Sequence, residues 1–396
     1  MSKVHGHCSP RFEEVRTLFQ QFVDSGEEVG ASFTVNINGE DVIDLWGGYT
    51  DADRSQPWKE DTIVTLFSTT KMISCFAVLM LVDSGAISVY DKVSKYWPEF
   101  AANGKEDIEI RHIMSHTSGV AGWDDPMTLE EVANTEEATA RLARQAPWWT
   151  PGTASGYHAW TLGNLCAEIV RRVTGLSLKQ FVAEKIAAPL GADIQIGALE
   201  KDWPRISNPV STAPAPGTDK SNPGDFKPGP LFFKVLNPLP APGMSRVGLP
   251  IWRNSEFGAS NGFGNARSVN RVLSNLTLAG KEAGSGKPRI PFSKNTADLM
   301  FVEQSRGIDL AVGKPIRFGI GFGIRGDGDS WVDDWLPAGR LAYWGGAGGS
   351  VGIMDLDRGV TITYAMNKLS QEMIANTASK AYIAAVYKAL GVEITK

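Results

Sequence analysis

The sequence predicts an α+β protein: an antiparallel sheet flanked by helices and built from both ends of the chain, with a mainly helical middle. Three observations carry this. Strand patterns lie near both termini, each set beside a terminal helix pattern. The stretch from Lys71 to about Leu199 is mostly helical spacing and loop. Finally, 42% of the 396 residues are hydrophobic, enough for one large body or two interleaved ones with a sizeable core.

The elements follow in chain order. Phe12, Val15, Leu18, Phe19 and Phe22 recur at helical spacing and predict an amphipathic first helix. Ala31, Phe33, Val35 and Ile37 alternate with polar or small residues, Asn38-Gly39 supplies a tight turn, and Val42, Ile43 and Leu45 complete a hairpin. "TIVTLF" is extended and apolar, and "TTKMISCFAVLMLVDSG" reads as a helix that ends near Gly85. At the far end "RLAYW" and "SVGIM" read as strands, Asp357-Arg358-Gly359 as a turn and "VTITYAM" as a further strand. Met373 to Leu390 reads as a closing helix with Gly391 at its C-cap. The expected division is an α/β unit of residues 1–70 and 260–396 and a mainly helical unit of residues 71–259. Eleven of the 22 prolines fall between Pro204 and Pro250, where "LFFKVL" and "IWRNSEF" interrupt or close the stretch, so residues 203–250 are read as an ordered excursion along the cleft.

Composition narrows the function classes. A net charge of -5 without a basic run points away from nucleic acid. Cys8, Cys75 and Cys166 are too few and too scattered for a disulfide framework or a zinc site. "MSKVHGHCSP" lacks the apolar core of a signal peptide. The apolar run Met72–Val82 is well short of the roughly 20 residues that cross a bilayer. A cytoplasmic protein with no membrane or nucleic-acid partner is expected, and no pattern sets an oligomeric state.

Several residues are candidates for chemistry. G-x-S-x-G occurs around Ser260 and around Ser350, but neither serine has a strand before it and a helix after it, so both read as glycine loops. His5 and His7 fall in a terminus expected to fray. His112 and His116 stand four apart without the acid of H-E-x-x-H, which favours structure over metal. Ser68 has the better context, with an extended segment before it and a long apolar helix after it. S-x-x-K alone is expected by chance on the order of once in a chain this long. Yet Lys71 sits at a helix start, where the dipole disfavours a cation, and an apolar run follows. A lysine buried there loses affinity for its proton, which suits a base for Ser68.

"STTK" (68–71), "RHIMSHTSGV" (111–120), "PGTASGYHAWTLGNL" (151–165), "SNGFGNARSVNRVL" (260–273) and "YWGGAGGS" (343–350) stand in an order that resembles the serine β-lactamase-like superfamily. Within it the chain looks most like the class C β-lactamase-related carboxylesterases called family VIII, over nearly its whole length. The resemblance implies a β-lactamase/penicillin-binding-protein-like fold and a cofactor-free, metal-free serine hydrolase acting on a small-molecule ester. Ser68 then resembles the acylated nucleophile, Lys71 its base and Tyr157 the partner in proton transfer. The N–H groups of Ser68 and Ala347 would form the oxyanion hole. Trp344-Gly345-Gly346 stands where lactamases carry Lys-Thr-Gly and would contact substrate. A cationic Lys71 could favour the Tyr157 phenolate, and the pair would titrate as a unit, leaving the base for each step open.

The departures bear on substrate. An indole at 344 cannot pair with a carboxylate as lysine does, and Tyr157-His158-Ala159 lacks the asparagine common in lactamases. Both point toward neutral, apolar esters and away from efficient β-lactam hydrolysis. Among Trp123, Trp148, Trp149, Trp160 and Trp252 at least one is expected to line the acyl or alcohol side. The rival readings are an acyltransferase on the same scaffold, weak β-lactamase activity, and a non-catalytic binding module, against which Ser68, Lys71 and Tyr157 all argue.

Overall fold

The computed structural model describes residues 3–211, 229–236, 243–281 and 288–394. Nine antiparallel strands form the main sheet: β1 (His5–Cys8), β2 (Gly30–Ile37), β3 (Glu40–Gly48), β4 (Ser305–Ile308), β5 (Pro315–Phe318), β6 (Gly323–Ile324), β7 (Leu341–Gly345), β8 (Val351–Asp355) and β9 (Val360–Met366). Their order is β1-β3-β2-β9-β8-β7-β6-β5-β4. The seven-residue pairing of β2 with β9, from Ala31↔Met366 to Ile37↔Val360, joins the two ends of the chain. This is the α+β architecture expected from the sequence.

Both faces of the central strands are covered. Phe33 and Tyr364 face the helix α5 (Thr377–Leu390), where Tyr382 packs on Phe33 with ring centroids 5.3 Å apart. The first helix, α1 (Glu13–Ser25), lies beside α5, with Phe19 5.4 Å from the Tyr382 ring. On the other face lies α4 (Ala266–Thr277). There the polar residues of the alternation are buried, not solvated. Thr363 Oγ1 donates to Ala266 O at 2.8 Å, and Asn270 Nδ2 donates to Thr34 O and Thr361 O. Hydrogen bonding makes their burial affordable.

Beyond α4 stand the apolar helix α2 (Thr70–Asp83), buried almost throughout, and α3 (Thr161–Thr174). A four-stranded sheet that the sequence patterns did not reveal sits beside them. In it Ile63–Thr65 pairs with Gly262–Gly264 (Val64↔Gly264, Thr65↔Phe263) and, in parallel, with Ile206–Ser207. This pairing carries the residues before Ser68 alongside the segment that ends at Ala259–Asn261. The terminus expected to fray is instead strand β1, held by β3 (His5↔Trp46 to Cys8↔Ile43), with Val4 buried behind it. Its exposed "HGHC" carries no apolar alternation, so only the tertiary pairing defines it. Of the Pro-rich stretch, residues 212–228 and 237–242 lie outside the described residues. "LFFKVL" contains a short helix (Phe232–Leu236), and the chain before it docks through Leu231 N to Leu310 O at 3.0 Å.

One buried acid makes the fold sensitive to pH. Glu28 is 1% exposed, accepts from the Tyr364 hydroxyl, and burial raises its pKa to about 8. Asn376 Nδ2 donates to the same Tyr364 oxygen at 3.2 Å. The folded state keeps this proton while the unfolded chain releases it near 4.5. Its stabilising contribution is therefore whole below pH 4.5 and is lost as pH rises toward 8. Glu28→Gln is expected to remove this loss, leaving the variant about 2–4 kcal/mol more stable than wild type at pH 8 and similar at pH 4.5. Urea unfolding at the two pH values checks it; an equal difference at both would refute the assignment.

Candidate active site

Ser68 lies in the turn Phe67–Thr69 that opens α2. Phe67 has φ +46, a left-handed conformation that a non-glycine residue holds only under constraint from its surroundings. The constraint is visible. Leu66 N donates to Gly262 O at 2.7 Å, and Ser350 Oγ donates to Leu66 O at 3.1 Å while pairing with Thr69 Oγ1 at 2.9 Å. Ser350 is thus a buried pin for the elbow.

Lys71 follows one turn on and is 2% exposed. Its Nζ lies 3.1 Å from Ser68 Oγ, 2.8 Å from Ala159 O and 2.9 Å from Ala259 O. Burial pushes its pKa well below the usual lysine value. A neutral amine has two N–H donors and one lone pair. The two carbonyls take both donors, which leaves the lone pair for the Ser68 proton.

Tyr157 is also buried, and its ring lies under Lys71 Nζ, 4.7 Å from the centroid. Lys71 is not among the groups that lower the Tyr157 pKa. Burial lowers the Lys71 pKa well below its usual value and holds the Tyr157 phenol well above its own, the latter opposed by the Ser68 hydroxyl and the Trp344 indole. Burial thus favours the neutral form of both groups.

Residues that the sequence reading passed over hold Tyr157 in place. Asp309 Oδ1 accepts from Tyr157 N at 3.1 Å and from Ala311 N and Val312 N. His158 N donates to His116 Nδ1 at 3.0 Å, and Gly156 N to His116 O at 3.0 Å. His158 Nδ1 donates to Gly156 O at 2.7 Å, which leaves Nε2 to accept from Ser118 Oγ at 2.6 Å. Burial lowers His158 to about 4 and His116 well below its usual value, so both stay neutral. His112 Nδ1 accepts from Glu109 N at 3.1 Å and caps a short helix. Among the described residues no His, Cys, Asp and Glu group is placed to hold a metal ion. Asp309 acts through backbone N–H groups, one of them in a remote loop, so no local motif marks it, and Ser118 stands within "RHIMSHTSGV" with its partner, the His158 ring, in another segment.

Trp344, Gly345 and Gly346 leave β7 against the elbow. The Trp344 ring packs 5.3 Å from Tyr157 and 5.3 Å from Phe318. A Cβ on Gly346 would press into Leu66 O and sit 2.6 Å from Ser350 Oγ. Only glycine allows this approach. Gly346→Ala is expected to cost about 1–3 kcal/mol of stability and to lower activity more than tenfold by shifting the elbow. Thermal melting and ester turnover check both parts; unchanged turnover would dissociate this strand from the site. Ala347, just past the end of β7, has no backbone acceptor for its N–H among the described residues. Trp123 and Trp252 are core residues, whereas Trp148, Trp149 and Trp160 are half-buried. Trp160 directly follows Ala159, whose carbonyl holds Lys71. Ser260 is buried beside Ala259, with its hydroxyl unpartnered.

A nine-stranded antiparallel sheet with helices on both faces, and a serine-lysine pair at the head of a buried helix, define the β-lactamase/penicillin-binding-protein-like class of fold. The sequence profile of the Beta-lactamase family matches residues 15–386, and the chain belongs to that family. A solved structure described as a family VIII carboxylesterase superposes with a TM-score of 0.87 at 32% identity, covering 98% of this chain and 99% of that one. A penicillin-binding protein homologue from Caulobacter crescentus superposes at 0.86, also with 32% identity and covering 98% and 99%. The esterase/beta-lactamase LipL of Mycobacterium tuberculosis is 26% identical over 389 residues, spanning 94% of this chain and 85% of LipL. Among the described residues no helix is long and apolar enough to cross a membrane.

Proposed function

We propose that the protein is a carboxylesterase that hydrolyses small to medium, apolar esters through an acyl-Ser68 intermediate. The observation that carries this reading is the Lys71 amine, desolvated and held by two carbonyls with its remaining valence on Ser68 Oγ. Relatives described as esterases, one of them at 32% identity over nearly the whole chain, support it.

The steps balance as follows. Lys71 takes the Ser68 proton as Oγ attacks the ester carbonyl. The Ser68 and Ala347 N–H groups receive the oxyanion, each worth a few kcal/mol in such sites. Tyr157 gives its proton to the departing alkoxide, which leaves an acyl-enzyme with lysinium and tyrosinate. Water then gives a proton to Tyr157 and attacks the acyl group, and Lys71 returns its proton to Ser68. Trp344 in place of a cation, with the half-buried Trp160, favours a neutral, apolar substrate.

The test is p-nitrophenyl butyrate turnover with fluorophosphonate labelling and peptide mapping. The expected result is turnover, one adduct and its location on the peptide containing Ser68. An adduct confined to another peptide, or turnover that survives complete labelling, would overturn the reading. Alcohol added as acceptor separates hydrolysis from acyl transfer: a new ester in place of the free acid would assign the second half-reaction to an acyltransferase.

A further inference from the structure

Trp344 presents a donor that the scheme above does not use. The side chain is 4% exposed, and its Nε1–H is buried without a full hydrogen bond in the resting enzyme. A buried donor of this kind is destabilising in the resting state and is available to an acceptor that forms during the reaction. The indole is tilted 40° to the Tyr157 ring, with the ring centroids 5.3 Å apart. His116 and Phe318 pack against it, at 5.9 Å and 5.3 Å, and keep it from turning away.

The charged and titratable groups around Tyr157 leave few alternatives. Lys71 lies over the ring face, 4.7 Å from its centroid. His116 is packed 5.0 Å from the same ring and is held neutral by burial. Asp309 accepts from the Tyr157 backbone and, as an acid, opposes a phenolate. The groups that favour one are the Ser68 hydroxyl and the Trp344 indole. Once Ser68 is acylated it has no hydrogen left to donate.

We infer that Trp344 is a positioning residue for acid–base transfer, its indole N–H closing onto the Tyr157 oxygen when that oxygen loses its proton to the leaving alkoxide. The inference rests on the esterase reading and assigns Trp344 a part in proton transfer in addition to substrate contact. It makes the benefit of the indole depend on how much the leaving group needs a proton. An alkoxide needs one; the anion of an acidic nitrophenol leaves without it.

The experiment compares ethyl butyrate with p-nitrophenyl butyrate, which share an acyl group, in wild type and Trp344→Phe. kcat/KM reports the steps up to acylation. The expected result is a fall for ethyl butyrate that exceeds the fall for the nitrophenyl ester by about 30-fold, in the range of general-acid effects, whatever loss of substrate contact the two esters share. If Trp344→Phe does not fold, β-(3-benzothienyl)alanine at 344 keeps the indole shape, replaces N–H by sulfur and answers the same question. An equal fall for both esters, or no fall for either, overturns the inference while leaving the esterase reading intact. Failure of the esterase reading would show separately, as wild-type inactivity on both esters.

Discussion

Ser68→Ala is expected to reduce ester turnover by at least about 10⁴-fold, the loss typical when a nucleophile that works with its base as one unit is removed. It should also abolish the fluorophosphonate adduct. The fold should survive. Ser68 is only half-buried, and the hydrogen bonds that shape its elbow belong to Leu66, Thr69 and Ser350. Retention of melting temperature with loss of turnover is therefore the expected pair of results. Activity that persists at more than about one-hundredth of wild type would remove Ser68 from the chemistry. Ser260 would then be the next candidate, because its hydroxyl is unpartnered beside Ala259, whereas that of Ser350 is committed to the elbow.

The parts of this site that were legible in the sequence are those encoded over short distances. Ser68 and Lys71 are three residues apart on one helix start, and the apolar run behind them announces the burial that alters Lys71. The hairpin of β2 and β3 and the strands β7 to β9 show the alternation or turn residues that define them locally. What escaped depends on pairing between remote segments. Strands β1 and β4, the two edges of the sheet, have little apolar alternation, and their existence follows from the strand next to them. The small sheet that sets Ile63–Thr65 against Gly262–Gly264 is likewise a contact across about 200 residues of chain. It is this contact that delivers Ala259 O to Lys71. The balance of charge at Tyr157 has a related origin. A cation against the ring argues for a phenolate, but the same enclosure that brings the two together disfavours charge on both. Burial acts in opposite directions on the pKa of an amine and of a phenol, and here it favours the neutral form of each.

That neutrality decides what removal of the lysine does. Lys71→Met keeps the volume of the chain and deletes the base, and kcat is expected to fall by about 10³–10⁴-fold, the upper part of the range for a positioned acid or base. In wild type the acidic limb of the kcat/KM profile should belong to Lys71, since activity requires the unprotonated amine, and its midpoint should lie well below the usual lysine value because burial lowers it. The variant's residual activity should lose that limb. Stability carries the same signature with a definite sign. The unfolded chain binds a proton at Lys71 below about 10.5, whereas the folded chain does so only at lower pH. Wild-type stability from this group is thus present above 10.5 and declines as pH falls toward the folded pKa. Measured against wild type, Lys71→Met should become relatively more stable as pH is lowered from 10.5, even though it leaves Ala159 O and Ala259 O without a donor at every pH. Urea unfolding at pH 7 and pH 10 separates the two contributions. A stability difference that does not change with pH would mean that Lys71 keeps its proton in the folded enzyme. Ser68 would then have to be activated by a group other than this amine.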